Sequence, residues 1–263
     1  MTGFVDLRNV RLSYGSSEDA TLALDDLSIS VRQGEFAAVV GPSGCGKSTL
    51  MKLATGLIVP QEGTIEVAGH EVSGPVSVAG MAFQNPSMLP WRSTLSNVML
   101  PLEIVQPHRA RLRSQKAAYT RKAEELLELV GLGGFGDKFP WQLSGGMQQR
   151  ANLCRALIHD PALLMLDEPF GALDAFTREE LWQVMRDLHA EKRFTVILVT
   201  HDLREAVYLA DKIFVMSARP GTIIREKAVT FDRPRPIDLI YEHDFNEIVH
   251  ELRDLIADAR TVS

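Results

Sequence analysis

The sequence predicts an α/β fold: a mostly parallel sheet flanked by helices, with an N-terminal antiparallel β part and an inserted helical subdomain. Three observations carry this. Strand-like and helix-like patterns alternate through the second half of the chain. The runs Phe36–Val40 and Ala162–Leu166 are apolar at every position, as in strands buried on both faces. Between about Asn85 and Asp160 proline turns and amphipathic helical spacing replace the alternation.

The elements follow in order. Phe4 to Val10 alternates and reads as a strand, and Tyr14-Gly15-Ser16-Ser17 breaks the pattern. Leu27 to Val31 alternates again, and Phe36 to Val40 is a buried strand. A glycine-rich turn at 41–46 leads to a helix from Lys47 to about Gly56, where glycine gives a stop. Thr64 to Val67 and Met81 to Phe83 are further short strands. Arg121 to Val130 is a helix, because Leu126, Leu127 and Val130 share one face. Another helix starts after Ser144-Gly145-Gly146. Then come a strand at Leu163 to Leu166, a helix at Thr177 to Ala190, a strand at Thr195 to Val199, a helix at Leu203 to Leu209 and a strand at Ile213 to Met216. Asp232-Arg233-Pro234-Arg235-Pro236 reads as a stiff linker to a helix over Asp244 to Ala257, a cap on the core.

Composition bounds the function. The 263 residues are 45% hydrophobic and 24% charged, enough apolar material for a large core and too much for extensive disorder. The net charge of −6, from 28 basic and 34 acidic residues, argues against nucleic acid as a partner. No apolar run approaches the roughly eighteen residues of a membrane span. Asp6, Arg8 and Arg11 stand where a signal peptide is apolar. Cys45 and Cys154 offer neither a disulfide framework nor a zinc set, in keeping with a reducing cytosol.

Two motifs carry chemistry. Gly41-Pro42-Ser43-Gly44-Cys45-Gly46-Lys47-Ser48, followed by Thr49, matches G-x-x-x-x-G-K-[ST] between an apolar strand and a helix. Its glycines let backbone N–H groups turn inward on an anion, and the helix that follows adds unpaired N–H groups and a positive dipole end. Lys47 supplies a cation for the β and γ phosphates, and Ser48 a hydroxyl for Mg²⁺. The second motif, Leu163–Leu166 followed by Asp167-Glu168, ends an apolar strand in two carboxylates. Such a strand end faces the ligand crevice of an open α/β sheet. Asp167 can hold Mg²⁺ through its water shell, and Glu168 can orient or deprotonate a water. Together they describe a P-loop NTPase core that uses Mg²⁺; the cradle alone does not choose between a kinase, a GTPase and a transport ATPase, and the carboxylate pair narrows that choice. Cys45, beside a helix N-terminus and Lys47, is expected to have a lowered thiol pKa.

Leu143-Ser144-Gly145-Gly146-Met147-Gln148-Gln149-Arg150 resembles the signature motif of ABC-type ATPases. The resemblance covers about residues 1 to 230 and orders the other motifs. Tyr14 is similar to the aromatic that stacks on adenine, and Gln84 to the Q-loop glutamine. Gly171-Ala172-Leu173-Asp174 resembles the D-loop, and His201 the switch histidine. The resemblance implies a homodimer in which Ser144, Gly145 and Gly146 of one chain face the γ-phosphate in the other chain's cradle. Lys47, Gln84, Glu168 and His201 are then the catalytic group, with Ser48, Gln84 and Asp167 near the metal and Asp174 at the dimer seam. The implied division is a nucleotide-binding core at 1–86 and 160–230, a helical subdomain at 87–159, and a C-terminal linker and helix at 231–263.

Met88-Leu89-Pro90-Trp91, Met216-Ser217-Ala218-Arg219-Pro220-Gly221 and Arg233–Pro236 resemble the importer group for nitrate, sulfonate and taurine. That group implies integral membrane permease subunits, a solute-binding protein reached indirectly, and a place on the cytoplasmic face of the cell membrane. Met88, Leu89 and Trp91 are expected to be exposed and to line a groove for a permease helix. The alternative is a soluble, non-transport ABC-type ATPase. Such proteins resemble tandem modules or carry long coiled coils, and this chain has one module and no sustained heptads. A small-molecule kinase would share the cradle but lack the signature segment and His201.

Overall fold

The computed structural model describes residues 3–15 and 20–261. Ser16 and Ser17 of the predicted turn lie outside them. The chain forms two compact units, Met1–Val76 with Arg186–Ser263, and Ser77–Met185. The sequence division falls at 87, 160 and 231 instead, so residues 77–86, 160–185 and 231–263 sort differently in the two partitions.

The first unit opens with β1 (Val5–Tyr14) and β2 (Thr21–Val31), both longer than their alternation predicts. The register shifts between Leu7 and Val10, where Asn9 takes a φ of 49°. This is a bulge, and it resets which side chains point inward. Val10 and Leu12 stay buried although strict alternation fails. Asp26 on β2 also has a positive φ, and Asn9 Nδ2 donates to its Oδ1 at 2.7 Å. β3 (Phe36–Val40) is wholly buried, and α1 (Lys47–Ala54) follows the glycine-rich turn. β4 (Glu62–Val67) and β5 (His70–Glu71) complete an antiparallel sheet of order β2-β1-β4-β5.

In the second unit β6 (Ala79–Ala82) leads into α2 (Thr94–Val98), α3 (His108–Arg111), α4 (Lys116–Leu129) and α5 (Gly145–Leu157). β7 (Leu163–Asp167) runs parallel to β6, with Ala82 opposite Leu166. α6 (Ala175–Lys192) follows and contains the unit boundary. The short α2 and α3 lack the length over which a helical period is read.

The chain returns to the first unit with β8 (Thr195–Val199), α7 (Leu203–Leu209), β9 (Lys212–Met216), β10 (Ile223–Ala228) and α8 (His243–Thr261). β3 lies parallel to both β8 and β9, and β10 closes antiparallel on β9. Phe245 and Leu252 anchor α8 with no exposed surface.

The predicted linker at 232–236 is instead a packed strap. Arg235 is 1% exposed. Its guanidinium donates to the carbonyls of Val207, Tyr208 and Ala210 at 3.0, 2.9 and 2.7 Å, and to that of Val229 at 3.2 Å. The last carbonyls of a helix have no intrahelical partner and attract a cation. Arg235 fills that need at the end of α7. Burial pulls its pKa down to about 10, which leaves it charged at neutral pH. Among the described residues no helix is long and apolar enough to cross a membrane.

Candidate active site

The cradle grows from the carboxyl end of β3. Lys47 is buried, and its Nζ donates to the carbonyls of Gly41 and Pro42 at 2.9 and 2.8 Å, with Cys45 Sγ at 3.7 Å. The ammonium is thus fixed inside its own loop. Gly46 has a φ of 103°, and a Cβ there would meet Leu24 Cδ2 at 2.6 Å and Ala23 O at 3.2 Å, so any side chain at this position is strained. Ser43, Gly44 and Ser48 are exposed. Tyr14 ends β1 with 44% of its surface exposed, and its hydroxyl lies 3.3 Å from Thr49 Oγ1 in the first turn of α1. The aromatic and the cradle therefore share one side of the first unit.

His201 leaves the same sheet edge as the cradle. Val39 of β3 lies opposite Val199 of β8, and Thr200 N donates to Val39 O at 3.2 Å. The turn carrying His201 is pinned. Thr200 Oγ1 donates to Glu205 Oε2 at 2.8 Å and accepts from Asp202 N at 3.0 Å. Asp202 caps α7 by accepting from Arg204 N and Glu205 N. The imidazole itself is exposed.

The second unit assembles its own group. β7 is buried throughout, and Asp167 at its end is only 8% exposed. Glu168 adopts a φ of 46°, a conformation that a side-chain-bearing residue enters at a cost of about 1 kcal/mol or more. Gln84, two residues past β6, donates from Nε2 to Glu168 Oε2 at 3.0 Å. Because β6 and β7 are parallel neighbours, both side chains emerge at carboxyl ends.

Ser144 caps α5, its Oγ accepting from Met147 N at 3.3 Å. Ser144 and Gly145 are exposed, so the start of that helix is open to solvent. A Cβ on Gly146 would press on Leu173 Cδ2 at 3.0 Å. Asp174 accepts from Thr177 N at 3.1 Å, and hydrogen bonds from the Thr177 backbone and hydroxyl hold its carboxyl below the usual range. Next to it Phe176 is 82% exposed.

A family model described as "ABC transporter" matches residues 24–171. The chain belongs to the ABC transporter family. It is 44% identical over 224 residues to an aliphatic sulfonates import ATP-binding protein of Bacillus licheniformis, covering 85% of this chain and 83% of that one. It is 40% identical over 233 residues to a taurine import ATP-binding protein of a Jannaschia species, covering 88% and 84%. It is 40% identical over 242 residues to a nitrate import ATP-binding protein of Synechococcus elongatus, covering 92% and 86%. Among solved structures, a dimeric ATP-binding cassette in a post-hydrolysis state with ADP and Pi superposes with a TM-score of 0.75. It is 30% identical, and the match covers 87% of this chain and all of that one.

Two expectations for this ABC ATPase need correction. Cys45 is 1% exposed, and burial raises its thiol pKa against the lowering pull of the Lys47 charge. Desolvation of a thiolate outweighs the cation beside it. Of the three predicted groove residues, Met88 is buried, Leu89 is half-buried and only Trp91, at 71%, is exposed. The fully buried Asn97 sets this arrangement. It accepts from Leu89 N and donates to the carbonyls of Leu89, Arg92 and Ser93. The loop thus closes over Met88. A groove of about 570 Å³ does exist in the second unit, lined by Met81, Phe83, Gln84, Ile104, Arg155 and His159 among others.

Sequence reasoning also missed the ties between the signature helix and the Gln84 segment. Gln149 Nε2 and Asn152 Nδ2 both donate to Phe83 O, at 3.3 and 2.9 Å. Arg155 donates to the carbonyls of Pro86 and Ser87. Their spacing at 149, 152 and 155 on one helical face was the available signal.

Proposed function

We propose that the chain is the ATP-hydrolysing subunit of a binding-protein-dependent importer for a small solute of the sulfonate, taurine or nitrate kind. The carrying observation is the 3.0 Å hydrogen bond from Gln84 to Glu168 at adjacent parallel strand ends. It holds a carboxylate on a strained backbone beside a side-chain amide. Glu168 there orients the attacking water and accepts its proton. Lys47 and the inward N–H groups of 41–48 bind the β and γ phosphates, and His201 contacts the γ-phosphate. Tyr14 stacks on the adenine.

Oxygen donors suit Mg²⁺, and the carboxylate of Asp167, buried at the end of an apolar strand, favours a nearby cation. Ser48 offers a hydroxyl, Asp167 acts through water, and Gln84 senses the ion. When bound, Mg²⁺ neutralises charge on the phosphates.

Ser144, Gly145 and Gly146 face the γ-phosphate held by a second copy, with Asp174 at the seam. The dimeric cassette with ADP and Pi supports this arrangement. Its consequence is mechanical: ATP bridges two chains, and hydrolysis removes the bridge. The ties from Gln149, Asn152 and Arg155 to the segment after Gln84 carry that change to the groove, which receives a permease helix. The subunit is thereby peripheral on the cytoplasmic face of the membrane. Relatives named as import subunits for sulfonates, taurine and nitrate favour this over a non-transport ATPase, and the solute is read by the permease and a solute-binding protein.

Glu168→Gln tests the chemistry. It is expected to bind Mg-ATP, to lose about 10²-fold or more in turnover, and to elute as an ATP-dependent dimer in light-scattering chromatography. Wild-type turnover in that variant removes Glu168 from the base role.

A further inference from the structure

We infer that Arg219 is a positioning residue of the phosphate cradle: by holding the Gly44 carbonyl outward it turns the Cys45 N–H to the opposite face of the loop. The inference rests on the ATP-binding reading of the cradle. Arg219 Nη2 and Nε both donate to Gly44 O, at 3.0 and 3.3 Å. The Gly44–Cys45 bond is not among the cis peptides, so its C=O and N–H point in opposite directions. Fixing one fixes the other.

The peptide in question follows a glycine in the left-handed region. Gly44 has a φ of 76°, is exposed, and among the described residues carries only the Arg219 guanidinium within 4 Å of where a Cβ would stand, and glycine passes between backbone conformations with little steric resistance. An unrestrained Gly44 carbonyl could rotate inward and present an acceptor to the phosphates in place of a donor.

The arm that restrains it stands on a rigid base. Ser217 Oγ donates to the carbonyls of Ala218 and Pro220 and accepts from Thr222 N at 3.0 Å. Gly221 N donates to Ala23 O at 2.9 Å, and Asp25 N donates to Gly221 O at 3.2 Å. A Cβ on Gly221 would sit 2.0 Å from Cys45 O, so the 217–221 backbone lies directly against the cradle. Met216 closes the other end, its carbonyl 2.9 Å from where a Gly41 Cβ would be. The Ser-Ala-Arg-Pro-Gly segment is therefore the outer wall of the cradle, and Arg219 is its reach over the rim.

The test uses the full chain and separates a held peptide from a nearby charge. Gln places its amide nitrogen where Arg places Nε, so Arg219→Gln keeps one donor and drops the charge. Positioning predicts that Arg219→Ala raises the KM and calorimetric Kd for Mg-ATP roughly three- to tenfold, with kcat within about twofold and an unchanged melting temperature. Arg219→Gln recovers most of that loss, at 50 mM and at 300 mM salt alike. Arg219→Gln as weak as Arg219→Ala, with Arg219→Lys at wild-type affinity and a strong salt dependence, replaces positioning by simple charge attraction. Lys47→Ala serves as the reference. If it binds Mg-ATP as wild type does, the cradle reading fails and this inference with it. If it loses binding while Arg219→Ala does not, the inference alone is overturned.

Discussion

Glu168 gathers the features expected of a working carboxylate: a left-handed backbone, a strand end and an amide donor. Its motif made it visible in the sequence. The donor, Gln84, was visible only through its order among the other motifs. Cys45 shows where residue-level reasoning stops. Proximity to Lys47 and to a helix start is readable from spacing, but burial is a property of the packed loop. Its raised pKa and 1% exposure predict maleimide alkylation at pH 7.5 about tenfold or more slower than for a free cysteine, followed by peptide mass spectrometry. Labelling at the free-cysteine rate would contradict the buried placement. Arg219 was noted only as part of a group resemblance, because a contact across 175 residues leaves no local pattern.

At the scale of elements, legibility follows length and burial. β3, β8 and α7 match their predicted bounds, since β3 is apolar throughout, β8 is apolar after Thr195 and α7 carries a capping aspartate. β10 was missed because its exposed charges hide an edge strand. The strap at 232–236 was misread because prolines and arginines imitate a linker. Arg235→Met leaves the carbonyls at the end of α7 without their donor and is expected to cost about 3 kcal/mol, seen as a drop of roughly 6–12 °C in melting temperature. Unchanged melting would show that water replaces the guanidinium. His189, on α6, packs edge-on to Phe36 and Phe194 at centroid distances of 5.3 and 5.7 Å. Burial, and then the Arg233 charge, holds its pKa below the ordinary value, so the unfolded chain binds the proton more readily. That contribution is present above about pH 6.5 and is lost as pH falls through that value. Thermal melts from pH 7.5 to 5.0 should decline, and His189→Leu should flatten the decline; an equal slope in both proteins would assign the acid sensitivity elsewhere, to His159 first, whose pKa burial also lowers.

For the whole molecule, the family and the ATPase motifs were legible from the sequence, because the signature, the cradle and the carboxylate pair are contiguous. The contacts that hold each motif within its own unit were not, since they run through backbone carbonyls such as those of Phe83 and Gly44. The central claim concerns a membrane partner, and mild-detergent purification of the tagged chain from its native membranes addresses it most directly. The account predicts a stoichiometric complex with a multi-span permease, whose ATP hydrolysis rises when a solute-binding protein loaded with a sulfonate, taurine or nitrate is added. A fully active ATPase recovered as a dimer with no membrane protein would contradict it.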